Sequence, residues 1–111
     1  MYNQGDVIIV PFPFTDLTGV KQRPALIISN KEYIRNSPDV IICGITSNLK
    51  DLEYSVLLEK RDLNSGFIIL KSLIKVDKLT SVDKNIIRKK IATIKQSKLQ
   101  EVFEILDKII K

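Results

Sequence analysis

The sequence has no histidine and no tryptophan, and cysteine occurs once, at Cys43. Without histidine, Cys-His and Ser-His-Asp catalysis are excluded, and zinc sites lose their usual nitrogen ligand. Any catalysis must therefore use arginine, lysine, hydroxyl or carboxylate side chains. A lone cysteine forms no intramolecular disulfide, which is typical of a reducing compartment. The apolar neighbours of Cys43 predict a buried thiol with a raised pKa rather than a nucleophile.

Long apolar runs and targeting signals are also missing. The N-terminus shows no signal-peptide pattern, and no apolar run approaches the roughly 20 residues of a membrane span. We expect a cytoplasmic protein with no membrane partner. The 111 residues, 44% hydrophobic and 28% charged, predict one domain, residues 1–111, with a core that needs no disulfide or metal. The net charge of +5 weakly favours a polyanionic partner, usually nucleic acid.

Short β-branched and apolar runs, separated by polar loops, predict a mainly β protein. The predicted strands are residues 7–10, 25–28, 40–46, 54–59, 67–76 (with a kink near 71–72) and 91–94. A short helical turn is expected near residues 83–86. A final helix is expected to begin at Ser97, with Gln100 at the capping-box spacing and apolar residues at intervals of three and four. Together these elements predict an α+β, mainly β fold: a small, partly open antiparallel barrel with a C-terminal helix.

The stretch around Arg23 marks a change from polar loop to apolar strand. Pro24 fixes its own φ and restrains Arg23 to an extended backbone. We expect Pro24 to be the first residue of a strand, where no ladder hydrogen bond is owed. Arg23 then lies at the rim of the core with its guanidinium reaching outward, although the local pattern alone favours an ordinary surface arginine. The preceding loop, residues 15–22, is longer than most hairpin connections, which favours a functional loop.

Three segments carry a resemblance to a known family. Residues 5–14 (GDVIIVPFPF), 22–29 (QRPALIIS) and 45–47 (ITS) resemble the MazF/PemK family of toxin endoribonucleases. Residues 72–83 (SLIKVDKLTSVD) resemble that family's central strand and turn, and the tail resembles its C-terminal helix. The likeness extends over nearly the whole chain.

The resemblance implies an SH3-like barrel, a homodimer, and the toxin of a type II toxin–antitoxin pair. It further implies cleavage of single-stranded RNA at short motifs, without metal or another cofactor, and an acidic antitoxin as partner. The family's catalytic arginine falls on Arg23 and its catalytic threonine on Thr46. The family's asparagine that follows the Arg-Pro pair falls on Asn30. The full set of expected RNA-binding residues is Phe14, Asp16, Lys21, Asn30, Ser47, Lys71, Asp77 and Lys78.

These residue types suit RNA cleavage in which the ribose 2′-OH is the nucleophile. Arg23 offers a planar, permanently charged fork to phosphate oxygens, and Thr46 can hydrogen-bond the phosphate or the 2′-OH. The general base is left open between Asp16 and Asp77. Phe14 is expected to stack on a base, whereas packing in the core is the favoured role of Phe12.

Two other functions fit the same sequence. One is a non-enzymatic toxin similar to the CcdB gyrase poisons, which bind a protein target and cut nothing. The other is a catalytically silent RNA-binding barrel. RNA cleavage that Arg23→Ala abolishes separates the nuclease from both alternatives.

Overall fold

One antiparallel sheet and two α-helices make up the part of the chain that the structure describes. This structure is a computed structural model that describes residues 1–12 and 21–111, with the backbone alone for Phe12. Phe14, Asp16 and residues 15–20 of the predicted loop lie outside the described residues. The elements are β1 (Asp6–Phe12), β2 (Lys21–Ile27), α1 (Lys31–Asn36), β3 (Asp39–Thr46), β4 (Ser55–Leu58), β5 (Leu63–Gly66), β6 (Ser72–Asp83), β7 (Lys89–Ile94) and α2 (Gln96–Ile110).

The seven strands form a half-barrel in the order β4-β6-β3-β2-β1-β7-β5. Every described strand pair is antiparallel. The predicted class, a mainly β, partly open antiparallel barrel with a C-terminal helix, is confirmed. None of the described helices is long and apolar enough to cross a membrane.

Apolar clusters lie on both faces of the sheet. Because side chains alternate along a strand, Val7 joins the cluster on one face and Ile8 the cluster on the other. The helix α2 covers the first face with the buried side chains of Leu99 and Val102. Burial on both faces explains the unbroken apolar runs at residues 7–10 of β1 and 25–27 of β2.

The sequence predicted that strands end at Pro11 and begin at Pro24, but both prolines lie inside strands. β1 continues through Pro11 to Phe12, and β2 begins at Lys21, three residues before Pro24. Neither proline breaks a ladder, because β1 pairs with β7 only as far as Ile9, and β2 pairs with β3 only from Ala25 onward. A proline fits a strand wherever one neighbouring strand is missing.

Four other features differ from the prediction. Residues 31–39 and 60–66 lie between predicted strands and were expected to be loops, but the first range contains the helix α1 and the second contains β5, which forms by pairing with β7. The predicted strand at residues 67–76 begins only at Ser72 and then continues as β6 to Asp83. The helix α2 begins at Gln96 without a side-chain cap, so the predicted Ser97 capping box is wrong. The expected short turn near residue 84 is confirmed as a 3₁₀ turn over Lys84–Ile86.

A register shift interrupts the pairing of β3 with β6. Cys43 is paired with Leu79, but the next residue of β3, Gly44, is paired with Lys75. Three residues of β6, at positions 76–78, therefore have no partner in β3. Bulges of this kind bend a strand and re-aim its side chains, and they are common beside functional sites.

Candidate functional site

An open cleft of about 540 Å³ lies where the ends of β2 and β3 meet the bulge of β6. Three strands, β2, β3 and β6, and the β3–β4 connection contribute to its walls. The lining residues are Arg23, Pro24, Gly44, Ile45, Thr46, Asn48, Asp51, Lys75, Asp77, Lys78 and Leu79.

Arg23 and Thr46, the two predicted catalytic residues, lie together in this cleft. Ala25 of β2 is paired with Gly44 of β3. Continuing that register by two residues puts Arg23 opposite Thr46, with both side chains on the same face of the sheet. Lys21 shares that face two residues earlier in β2. The Arg-Pro and Thr-Ser motifs are thus neighbours across two strands, although 22 residues separate them in sequence.

The guanidinium of Arg23 is partly buried and lacks an acidic partner among the described residues. Its Nε is fully buried and makes no hydrogen bond there. A buried donor without a partner costs free energy, typically about 1–3 kcal/mol. Because Arg23 lines the cleft and has no acidic partner in these residues, the terminal N–H groups of its guanidinium are the donors that an anion in the cleft would meet.

The hydroxyl of Thr46 is held by the turn that follows β3. Its Oγ1 accepts a hydrogen bond of 3.1 Å from the backbone N–H of Asn48, and Asn48 Oδ1 in turn accepts one of 3.1 Å from the N–H of Lys50. These bonds leave the hydroxyl proton of Thr46 available for a ligand. Ser47 is exposed but does not line the cleft, because side chains alternate between the two faces.

Lys75 was not among the predicted site residues, yet it lies at the base of the cleft. Its side chain is 5% exposed, and its Nζ lies 3.0 Å from Asp51 Oδ1 and 3.7 Å from Asp77 Oδ1. A lysine inside the apolar run 73–76 was the available signal, because a buried charge must be paired.

Asp77 and Lys78 belong to the unpaired part of β6, and the bulge brings both to the cleft. Asp77 is the candidate general base in the described part of the chain, since Asp16 lies outside it. Lys78, like Arg23, forms no ion pair within residues 1–12 and 21–111. The cations that line the cleft, Arg23, Lys75 and Lys78, outnumber its carboxylates, Asp51 and Asp77, so the formal net charge of the lining is positive.

Two predicted RNA-binding residues lie away from the cleft. Asn30 caps α1, where its Oδ1 accepts a 2.9 Å hydrogen bond from the N–H of Tyr33, and it lines a separate surface pocket. Lys71 is exposed and lies 3.6 Å from Glu59 Oε2. In the described ranges, no group of His, Cys, Asp or Glu side chains is arranged to hold a metal ion.

Cys43 lies under this site and is completely buried. Burial, together with the negative charge of Asp77, raises the pKa of its thiol from 9.0 to about 12. The predicted buried thiol with a raised pKa is confirmed, and Cys43 is not a nucleophile at neutral pH.

The sequence as a whole matches one family model. Residues 3–110 match the family described as PemK-like, MazF-like toxin of type II toxin-antitoxin system. The chain belongs to this family. The resemblance that residues 5–14, 22–29 and 45–47 indicated is confirmed.

Solved structures of MazF toxins share the fold of this MazF-like chain. The MazE-MazF complex from Deinococcus radiodurans matches with a TM-score of 0.79 and 23% identity, over 98% of this chain and 95% of that one. An endoribonuclease from a mycobacterial species, in complex with its cognate antitoxin, matches with a TM-score of 0.78 and 18% identity over 97% and 93%. The Mycobacterium tuberculosis toxin MazF-mt6 matches with a TM-score of 0.74 and 16% identity over 93% of each chain.

Proposed function

We propose that this MazF-like toxin is a sequence-specific, metal-independent endoribonuclease that cleaves single-stranded RNA as the toxin of a type II toxin–antitoxin pair. The observation that carries the proposal is that the Arg23 guanidinium, which has no acidic partner among residues 1–12 and 21–111, lines the same open, cationic cleft as the hydroxyl of Thr46. A phosphodiester offers the anionic oxygens that these donors require.

In the proposed reaction the ribose 2′-OH attacks the adjacent phosphorus, and the bond from phosphorus to the 5′ oxygen breaks. The products are a 2′,3′-cyclic phosphate and a 5′-hydroxyl end. Arg23 donates two N–H hydrogen bonds to the non-bridging oxygens, where negative charge builds up. Thr46 donates a hydrogen bond from its hydroxyl to the same phosphate. Asp77 accepts the proton of the 2′-OH, and solvent protonates the departing 5′ oxygen.

Binding of the flanking RNA is assigned to residues around this centre. Lys78 in the cleft and Lys21 at the start of β2 are proposed to contact neighbouring phosphates. Phe14 and Asp16, with Ser47, remain predictions for contacts to bases. Asn30 and Lys71 remain predictions as well, and RNA would have to extend beyond the cleft to reach them.

The proposed partner is an acidic antitoxin. The Deinococcus radiodurans and mycobacterial relatives were solved as complexes with MazE and with a cognate antitoxin, respectively. Acidic side chains would satisfy the open donors of Arg23 and Lys78 and keep RNA out of the cleft. A toxin that co-purifies with no acidic protein when its neighbouring gene is co-expressed would contradict this partner.

A homodimer is proposed on the family resemblance. Three apolar side chains between β5 and β6 support it: Phe67 is 64%, Ile69 84% and Leu70 60% exposed. Exposed apolar surface of this kind commonly marks an interface. Light scattering of the purified protein at micromolar concentration is expected to give the mass of two chains, and Ile69→Glu is expected to lower it. A wild-type monomer would refute the dimer.

The test of the proposed function is a cleavage assay on a long single-stranded RNA with EDTA present. Wild-type protein is expected to yield discrete fragments with 5′-hydroxyl ends, and Arg23→Ala and Thr46→Ala are expected to yield none. Arg88→Ala, which removes an exposed arginine outside the cleft, is the control and should cleave like wild type. Intact RNA after incubation with folded, antitoxin-free protein would overturn the proposal. Inhibition of gyrase would then indicate a CcdB-like poison, and RNA binding without cleavage a silent barrel.

A further inference from the structure

Lys75 is a buried lysine in the middle of β6 whose ammonium is turned toward the cleft. It is paired with Gly44 on one side and with Ser55 on the other. Because Gly44 has no side chain, the stem of Lys75 meets no opposing side chain in β3 at that position. The residue as a whole is 4% exposed.

The ammonium of Lys75 is held in a cage of oxygen atoms that come from one connection. It donates to Asp51 Oδ1 at 3.0 Å, to the Asp51 carbonyl at 3.2 Å, and to the carbonyl of Glu53. An ammonium has three protons, so these three acceptors use all of its donor capacity. Two of the three are backbone oxygens, and Lys75 therefore fixes the path of the chain as well as one carboxylate.

That connection, residues 47–54, is named here the wall loop. Most of its other described hydrogen bonds are local, such as Leu52 N–H to the Lys50 carbonyl and Ser55 Oγ to the Leu52 carbonyl. One further bond reaches the sheet, from the N–H of Val76 to the carbonyl of Tyr54. Tyr54 has a left-handed backbone with φ of 51°, which costs free energy in a non-glycine residue and persists only where contacts enforce it.

The wall loop carries two residues of the cleft, Asn48 and Asp51. Its Asn48 N–H is also the donor that orients the hydroxyl of Thr46. A chain of contacts thus runs from Lys75 through the wall loop to a catalytic side chain. Lys75 also offsets part of the negative charge of Asp51 and Asp77, whose carboxylates repel a phosphate in the cleft more strongly without it.

We propose that Lys75 is a positioning residue for RNA cleavage: it fixes the wall loop, and through that loop Thr46, while its charge offsets part of the negative charge of the two carboxylates beside the scissile phosphate. This assignment rests on the proposed nuclease function. It gives two separable effects, one on catalysis through the loop and one on RNA binding through charge.

The test compares Lys75→Met with the double variant Lys75→Met/Asp51→Asn. Lys75→Met is expected to raise KM for RNA and to lower kcat, each by about tenfold or more. The added Asp51→Asn restores the charge balance but not the tie to the loop, so it should recover KM and leave kcat low. Asp51→Asn alone keeps both carbonyl contacts of Lys75 and removes one negative charge from the cleft, so it is expected to lower KM for RNA, the opposite of Lys75→Met.

Amide hydrogen exchange supplies a second readout that needs no RNA. In Lys75→Met, exchange in the wall loop is expected to accelerate by about tenfold or more, while the amides of β1 and β7 remain protected. If Lys75→Met does not fold, Lys75→Gln replaces it, because the amide retains two donors without the charge. This variant should show the same effects at smaller size.

Unchanged exchange in the wall loop would overturn the assignment. Equal loss of kcat in the single and double variants with no recovery of KM would overturn its electrostatic part. A merely structural lysine would reduce the folded fraction and leave kcat and KM of the folded protein unchanged, which also overturns it. If wild type cleaves no RNA, the nuclease proposal fails, while the exchange result still reports whether Lys75 holds the wall loop.

Discussion

Arg23 and Lys75 are two cations of one cleft with opposite environments. Every proton of the Lys75 ammonium has an acceptor, whereas the buried Nε of Arg23 has none in the described part of the chain. Lys75 belongs to β6 and lies at the base of the cleft. Arg23 belongs to β2 and lines the cleft together with Thr46. The difference separates a charge that holds the site together from a charge that is left for a ligand.

The side-chain chemistry suits this division. An ammonium is a compact point charge that can cap two backbone carbonyls and a carboxylate at once. A guanidinium presents a planar fork that matches two oxygens of a phosphate. We therefore expect substitutions of Arg23 to slow cleavage without lowering the free energy of unfolding. We also expect that lysine cannot replace Arg23 and that arginine cannot replace Lys75 without loss of cleavage.

The largest expected effect comes from Arg23. Arg23→Ala should lower the single-turnover cleavage rate by about 10²–10³, equivalent to about 2.7–4 kcal/mol, because a charge-stabilising donor is lost. Arg23→Lys should lose more than about tenfold, since one ammonium cannot replace the fork. The free energy of unfolding should not fall in either variant, because no described partner is broken. Urea unfolding measures this free energy. A clear loss of stability would mean that Arg23, like Lys75, holds the structure of the site together.

The next largest effect on the cleavage rate is expected at Thr46. Its hydroxyl accepts a hydrogen bond from the wall loop and is proposed to donate one to the phosphate. Thr46→Val removes the donor to phosphate and the acceptor of the Asn48 N–H, and should slow cleavage by about 10–10²-fold, as for a lost hydrogen bond to a charged group. Thr46→Ser keeps the hydroxyl and should stay within about fivefold of wild type. Equal rates in the Val and Ser variants would show that the hydroxyl has no part in the reaction.

The Arg23 half of the cleft could be predicted from sequence because its determinants are local. Pro24 and the apolar run after it mark β2, and Thr46 closes the apolar run of β3. Two adjacent antiparallel strands then need only a register to bring both residues together. The fold class followed from the same runs and from the terminal helix.

The Lys75 half could not be predicted because its contacts are long-range. Its partners Asp51 and Glu53 precede it by more than 20 residues and are brought to it by the pairing of β4 with β6. Tertiary context also decides α1, since a helix of six residues is not stable alone and is held here by burial of Ile34. For that reason the sequence did not reveal that Asn30 caps α1. A contact between Asn30 and RNA remains a prediction.

The titration of Cys43 reports whether the core beneath the cleft excludes water. Its pKa is raised from 9.0 to about 12, so above pH 9 the unfolded state loses a proton that the folded state retains. The free energy of unfolding should therefore fall as pH rises through this window, by up to about 1.4 kcal/mol per pH unit. Because lysines also titrate, the measurement is the difference between wild type and Cys43→Ala in urea unfolding from about pH 8 to 10. Parallel curves would mean that the thiol is solvated in the folded protein.

A smaller effect is expected at Lys78, which, like Arg23, forms no ion pair in the part of the chain that the structure describes. Binding of a 2′-O-methyl RNA, which has no attacking hydroxyl, isolates affinity from cleavage. Lys78→Ala should reduce the slope of log affinity against log salt by about 0.7, as expected for one phosphate contact to a single strand. Lys31→Ala, an exposed lysine on α1, is the control and should leave the slope unchanged.

Lys71→Ala extends the same measurement beyond the cleft. Lys71 already lies 3.6 Å from Glu59, and a lysine that keeps an acidic partner releases no counterion from RNA. The slope should then equal that of wild type, which confines the phosphate contacts to the Arg23 half of the cleft. A slope reduced by about 0.7 would instead mean that RNA displaces Glu59 and extends past β4, and that the sequence-based assignment of Lys71 was right.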